Sequence, residues 1–155
     1  YVKSGELVKN DFLISGKYIY YFDSNGRMCT NTKVSKWDDE TEQLYYYYLD
    51  KDGHVIKGWY TDEYKNTYYF DKDGRSAVGI TVIDEKTYYF DEEGRMRQNY
   101  GMMENGYFYF FGTDGTQQVK KKLDENGWFQ VADKWYYAKD GDIARNQFIK
   151  GNKYI

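Results

Sequence analysis

The chain has 155 residues, with 22 basic and 25 acidic side chains and a formal charge of −3. It therefore lacks the basic excess with which nucleic-acid binders meet phosphate, and it holds no 18-residue apolar run that would cross a membrane as a helix. Leu, Ile, Val and Phe make only about 19% of the residues, a fraction that by itself points to disorder. The 20 Tyr, 9 Phe and 4 Trp reverse that reading: apolar area must come from flat, amphipathic rings, which suit sheets better than helices. The single cysteine, Cys29, excludes an internal disulfide framework and any multi-cysteine metal site. A start at Tyr1-Val2-Lys3 reads as an excised piece of a longer chain.

Taken in chain order, an aromatic run, an acidic turn and a glycine recur as Tyr20-Tyr21-Phe22-Asp23-Ser24-Asn25-Gly26, Tyr47 to Gly53, Tyr68 to Gly74 and Tyr88 to Gly94. Looser copies run from Tyr109 to Gly115 and from Trp135 to Gly141. With Gly5 as the tail of an earlier copy, the turn glycines are spaced 21, 27, 21, 20, 21 and 26 residues apart, which makes four short units and two long ones. The whole of 1–155 reads as one repeat array, and Ser4 to Ile19 aligns with Asp140 to Ile155 as the start of a second super-repeat.

Each unit is expected to be a β-hairpin. The aromatic run forms its first strand, Asp-x-x-Gly its turn, and residues such as Arg27-Met28-Cys29 or His54-Val55-Ile56 its second strand. The turn Asp accepts bonds from turn amides, and the glycine supplies a left-handed residue. Trp37 to Gln43 is expected to make one helical turn. Units of about 20 residues that cannot bury an apolar face alone stack on their neighbours, so the predicted fold is an all-β solenoid of hairpins with two longer units.

The units Tyr68 to Gly79 (YYFDKDGRSAVG) and Tyr88 to Asn99 (YYFDEEGRMRQN) resemble the cell-wall-binding repeats of Gram-positive surface proteins, a family that includes choline-binding modules, glucan-binding domains of glucansucrases and receptor-binding repeats of clostridial toxins. The resemblance implies a hairpin solenoid on a secreted or surface protein, with non-catalytic binding of a saccharide or choline between neighbouring hairpins. In the choline branch the cage rings stand seven and five residues before the turn glycine and six after it. Only Tyr46, Tyr48 and Trp59 around Gly53 fill all three positions; elsewhere the leading position holds Ile19, Thr67 and Thr87 and the trailing one Thr32, Ile80 and Lys121. Trp128 with Trp135 and Tyr137 forms a partial second copy. The alternation of long and short units resembles the saccharide-binding branches, in which pockets form where a long unit meets a neighbouring hairpin; here the long units add Ser35 to Leu44 and Thr116 to Gly127. Asn105-Gly106-Tyr107-Phe108 resembles the Asn-Gly-Tyr-Tyr stretches of glucan-binding domains.

Tyr46 and Tyr48 are candidate ligand-binding residues that share a strand face by alternation, with Trp59 brought alongside by the next unit, and Tyr45 and Tyr47 on the opposite face as core. Trp37, flanked by Asp38, Asp39 and Glu40, is a sugar platform beside hydroxyl acceptors. Gln98, Asn99, Gln117 and Gln118 supply amides, and Lys120-Lys121-Lys122 reads as a solvated edge. A calcium loop fails on spacing, since Gly53 as its sixth residue puts Tyr48 first and Trp59 last. His54 is the only histidine, and no nucleophile pattern surrounds it, so neither metal nor cofactor nor catalysis is expected within the segment. The favoured partner is an α-glucan or other cell-surface polysaccharide, followed by choline on teichoic acid, host-cell glycans, and a spacer role in which every ring is core.

Overall fold

The computed structural model describes residues 1–3 and 5–144. It is all-β among those residues, with strands β1 (Val2–Lys3), β2 (Glu6–Leu7), β3 (Asp11–Ser15), β4 (Tyr18–Phe22), β5 (Thr32–Asp38), β6 (Gln43–Leu49), β7 (Gly58–Thr61), β8 (Thr67–Phe70), β9 (Gly79–Ile83), β10 (Lys86–Phe90), β11 (Tyr100–Glu104), β12 (Tyr107–Phe111), β13 (Gln117–Lys122), β14 (Gly127–Val131), β15 (Lys134–Lys139) and β16 (Asp142–Ile143). The strands form small separate sheets, β3 with β4, β5 with β6, β7 with β8 and β9 with β10, and two three-stranded sheets, β11-β12-β13 and β14-β15-β16. Most of the alignment of Ser4 to Ile19 with Asp140 to Ile155 lies outside the described residues.

The aromatic run pairs mainly with the strand before it, not the one after it; among the described residues only β12 and β15 also pair with the strand that follows their turn. Tyr69 pairs with Trp59 and Phe70 with Gly58, both upstream, whereas the segments after the turns ending in Gly26, Gly53, Gly74 and Gly94 contribute isolated bridges such as Phe70 to Ser76, and full strands follow the later turns at β13 and β16. The reason is local: two-residue turns with positive φ at both positions, Asp84-Glu85, Asn105-Gly106 and Ala132-Asp133, lie ahead of the rings and match strand twist. Trp37 to Gln43 is likewise not helical. Trp37 and Asp38 end β5, Gln43 starts β6, and the long unit is a longer hairpin running from Thr32 to Leu49. The second insertion forms β13, a third strand on β12.

The acidic turn behaves as expected. Asp23 Oδ1 accepts the backbone N–H of Asn25 at 2.8 Å and of Arg27 at 2.9 Å, and Asp50, Asp71 and Asp91 repeat the pattern. Its glycine is required twice over at Gly74: φ is +81°, and a Cβ there would collide with Val55 Cγ1. That contact is part of a regular stacking ladder, in which the residue two past one turn glycine touches the next turn glycine and also reaches back to the previous unit. Val55 N–H donates to Ile19 C=O, Ser76 to Tyr46 and Met96 to Thr67, at 2.7–3.0 Å. A two-stranded hairpin marginal on its own thus gains both backbone bonds and packing from its neighbour.

The chain forms two compact units, Tyr1–Thr81 with Phe90–Met96, and Val82–Tyr89 with the chain from Arg97 onward. In the first, Phe22, Leu49, Phe70 and Phe90, each four residues before a turn glycine, are buried, as are Tyr47 and Tyr68 two residues earlier. Tyr47, Leu49 and Val55 anchor a cluster with Phe12, Tyr21 and Val34. In the second unit, Phe108, Phe110, Leu123, Val131 and Ala138 form the core.

Candidate functional site

Ahead of Gly26, Gly53 and Gly74, period-two alternation puts Phe22, Leu49 and Phe70, with Tyr47 and Tyr68, into the core and leaves the residues five and seven before the glycine facing the next hairpin. In the first unit the partner strand completes each such face with one corner residue: Phe12 opposite Tyr21, Lys33 opposite Tyr48 and Trp59 opposite Tyr69. Phe12 packs edge-on against Tyr21 at 4.9 Å and against Tyr47 of the following hairpin at 4.5 Å, which closes that face. Trp59 meets Tyr69 at 5.1 Å and 66°, and Phe90 at 6.2 Å, yet remains 43% exposed.

Tyr46, Tyr48 and Trp59 therefore do not share one cage. Trp59 and Tyr60 are neighbours on β7 and point to opposite faces, and Tyr60 is the one that reaches Tyr48, at 5.0 Å, beside Tyr68 at 5.1 Å. Lys33 stands where the spacing predicts a third ring: its Nζ lies 3.8 Å from the Tyr46 ring centroid, 5.9 Å from Tyr48 and 5.8 Å from Tyr68. Burial pulls the Lys33 ammonium below its ordinary pKa, with Arg95 adding to the shift against Glu93, Asp91 and Asp62. A cleft of about 710 Å³ opens beside it, lined by Lys33, Tyr48, Tyr60, Asp62 and Tyr64. Here the long hairpin meets its neighbour, where the saccharide-binding resemblance implied a pocket.

Trp37, 54% exposed at the far end of the long hairpin, borders a second cavity of about 480 Å³ with Phe12, Tyr47, Asp38 and Arg75. Arg75 Nη2 pairs with Asp38 Oδ2 at 2.7 Å, and the Thr41 amide, outweighing burial, together with Glu40 and Arg75 holds the Asp38 carboxyl below its usual range.

In the second unit Trp128 stands opposite Tyr137 and Gln130 opposite Trp135, so the three predicted rings share one hairpin face. Trp128 meets Tyr137 at 5.1 Å and 69°, nearly the geometry of Trp59 on Tyr69, and the indoles are 48% and 56% exposed. Gln98 donates from Nε2 to the Thr113 C=O at 2.6 Å and so holds a loop. Gln117 borders a small cavity with Lys86, Thr87 and Asp114. His54 stacks on Tyr18 at 3.9 Å and 14°, and its Nδ1 lies 3.3 Å from Asp50 Oδ2.

Residues 12–28, 57–76, 81–96 and 126–142 match the profile of the cell wall binding repeat family. These four segments are similar to cell wall binding repeats. The profile covers the hairpins that carry the Phe12–Tyr21, Trp59–Tyr69 and Trp128–Tyr137 ring pairs and passes over 29–56, which carries Lys33, Tyr46 and Tyr48. The repeat array is 32% identical over 131 residues to glucosyltransferase-S of Streptococcus mutans, a match that covers 83% of this chain and 8% of that protein. Two solved structures from Streptococcus pneumoniae share the fold. CbpJ aligns with a TM-score of 0.56 at 26% identity over 90% of this chain and 44% of that one. Choline binding protein F aligns with a TM-score of 0.58 at 24% identity over 90% and 53%. The chain thus spans about half of these two structures and under a tenth of the glucosyltransferase.

Sequence reasoning missed Lys33, Tyr60, Tyr64, Tyr69 and Arg75. Lys33 was displaced by one position because Asn31, with φ +45° and its N–H on Asp50 C=O at 2.9 Å, adds a residue before β5. An Asn five residues after a turn glycine, where Gly58 and Gly79 stand in other units, was the available signal for that shift.

Proposed function

We propose that the chain is a non-catalytic saccharide-binding module, with an α-glucan as the favoured polymer, on a secreted or surface-attached protein. The observation that carries this reading is the division of labour among the rings. Phe70, Phe90 and Phe111 are fully buried, whereas all four tryptophans, Trp37, Trp59, Trp128 and Trp135, are 43–56% exposed on strands. Exposed indoles flanked by carboxylates, Arg75 or Gln130 offer an apolar platform to a sugar face and hydrogen-bond partners to its hydroxyls. The likeness to glucosyltransferase-S supports the glucan over other polymers. Sites strung along one array gain by avidity on a repeating polymer, so each is free to be weak.

Choline is the second reading, supported by the near-perpendicular Trp59–Tyr69 and Trp128–Tyr137 pairs, since two ring faces at a corner attract a quaternary ammonium. Isothermal titration with isomalto- and malto-oligosaccharides, and separately with choline, distinguishes the two. Heat from the oligosaccharides alone is the expected result; choline heat alone transfers the sites to the second reading, and silence in both leaves host glycans or a spacer.

A further inference from the structure

We propose that Lys33 is a built-in occupant of an aromatic cage on the long hairpin and bars quaternary ammonium ligands from it, so that this hairpin is closed to choline by the chain's own ammonium. Three rings converge on one point, Tyr46 and Tyr48 from β6 and Tyr68 from the next hairpin, and Lys33 Nζ occupies that point at 3.8, 5.9 and 5.8 Å from the ring centroids. A cation within about 6 Å of a ring face is held by the ring quadrupole, and three rings acting together define a site for one positive charge. The ammonium is further tied by a hydrogen bond to the Glu93 backbone C=O at 3.3 Å, a bond that a quaternary ammonium, having no N–H, cannot replace. Burial of Lys33 is the expected consequence of an ammonium seated among rings instead of in water.

The position itself is a ligand-facing one. Lys33 occupies the same register as Trp59, which stays half exposed, and as Phe12, which fills its own face, so the lysine is one of three solutions to the same corner. A related cover recurs in the second unit, where Lys120 Nζ lies 4.9 Å from the Tyr107 ring and 5.4 Å from Tyr109. Closure of the long hairpin to choline does not depend on which sugar the module takes.

The test titrates tetramethylammonium and choline into wild type, Lys33→Ala and Lys33→Ala/Tyr46→Ala, following the ligand methyl protons and the tyrosine ring signals by NMR. Lys33→Ala gains a saturable site with upfield-shifted methyl protons and an affinity about tenfold above wild type, and the double variant loses the gain. Choline binding already present at Trp59 or Trp128 appears equally in all three proteins and is subtracted. In unaltered protein, where folding of the variants plays no part, the Lys33 ε-methylene protons are ring-shifted upfield relative to those of the exposed Lys51. A folded Lys33→Ala that binds no better than wild type overturns the proposal, as do Lys33 and Lys51 ε-methylene protons at the same chemical shift.

Discussion

The hairpins β5–β6 and β7–β8 are built on one plan and present opposite surfaces. Both bury the residue four before the turn glycine, Leu49 and Phe70, and both close their acidic turn on an Asp carboxylate. At the corner opposite the outward tyrosine, one carries Lys33, whose ammonium covers three rings, and the other carries Trp59, whose indole stays 43% exposed beside Tyr69. The backbone ladder that makes the array is thus indifferent to what fills the corner. Binding character is set by single residues laid over a common stacking scheme.

The strongest way to break the comparison is to attack what the hairpins share. Phe70→Ala removes a fully buried ring and is expected to cost about 3–5 kcal/mol, read from chemical denaturation. Gly74→Ala follows at about 2 kcal/mol or more, because the new methyl meets both a left-handed backbone and Val55; Gly16→Ala, with φ +60° and open space around it, is expected to cost about 1 kcal/mol. Equal losses for the two glycine variants would show that the stacking contact contributes nothing.

Changes at the corner sharpen the comparison instead. Trp59→Ala is expected to leave stability within about 1 kcal/mol of wild type while weakening oligosaccharide binding on the order of tenfold, measured by titration calorimetry. The smallest effect is on pH dependence. Asp62 sits below its ordinary pKa although burial opposes this, because the Asn66 side chain and amide, Tyr68 and the Tyr64 amide all donate to it. A carboxylate depressed in the folded state adds stability that is complete above the unfolded value of about 3.9 and is lost as pH falls through the folded value. Thermal melts should therefore show a drop below about pH 4 that Asp62→Asn reduces, and an unchanged profile in the variant contradicts this.

The repeat period, the acidic turns, the left-handed glycines and the all-β class were legible because each is written in local chemistry repeated along the chain. Strand pairing was not, since Tyr69 and its run carry the same rings whichever neighbour they pair with, and two of the deciding turns, Asp84-Glu85 and Ala132-Asp133, lack a glycine. That one error moved Trp59 from the Tyr69 face, where it stands, to the Tyr46–Tyr48 face. Lys33 was invisible for a related reason: only the extra residue at Asn31 brings it opposite Tyr48. Trp128, Trp135 and Tyr137 were grouped correctly because all three lie in one hairpin, where sequence spacing and register agree.

On the proposed reading exposed tryptophans are the ligand platforms, and the four indole N–H signals in a ¹⁵N-correlated NMR spectrum report on each of them separately. Titration with an isomalto-oligosaccharide is predicted to shift the Trp59 signal and at least one of Trp37, Trp128 and Trp135. Four indole signals that stay fixed while the sugar binds elsewhere, or while neither sugar nor choline binds at all, would contradict it.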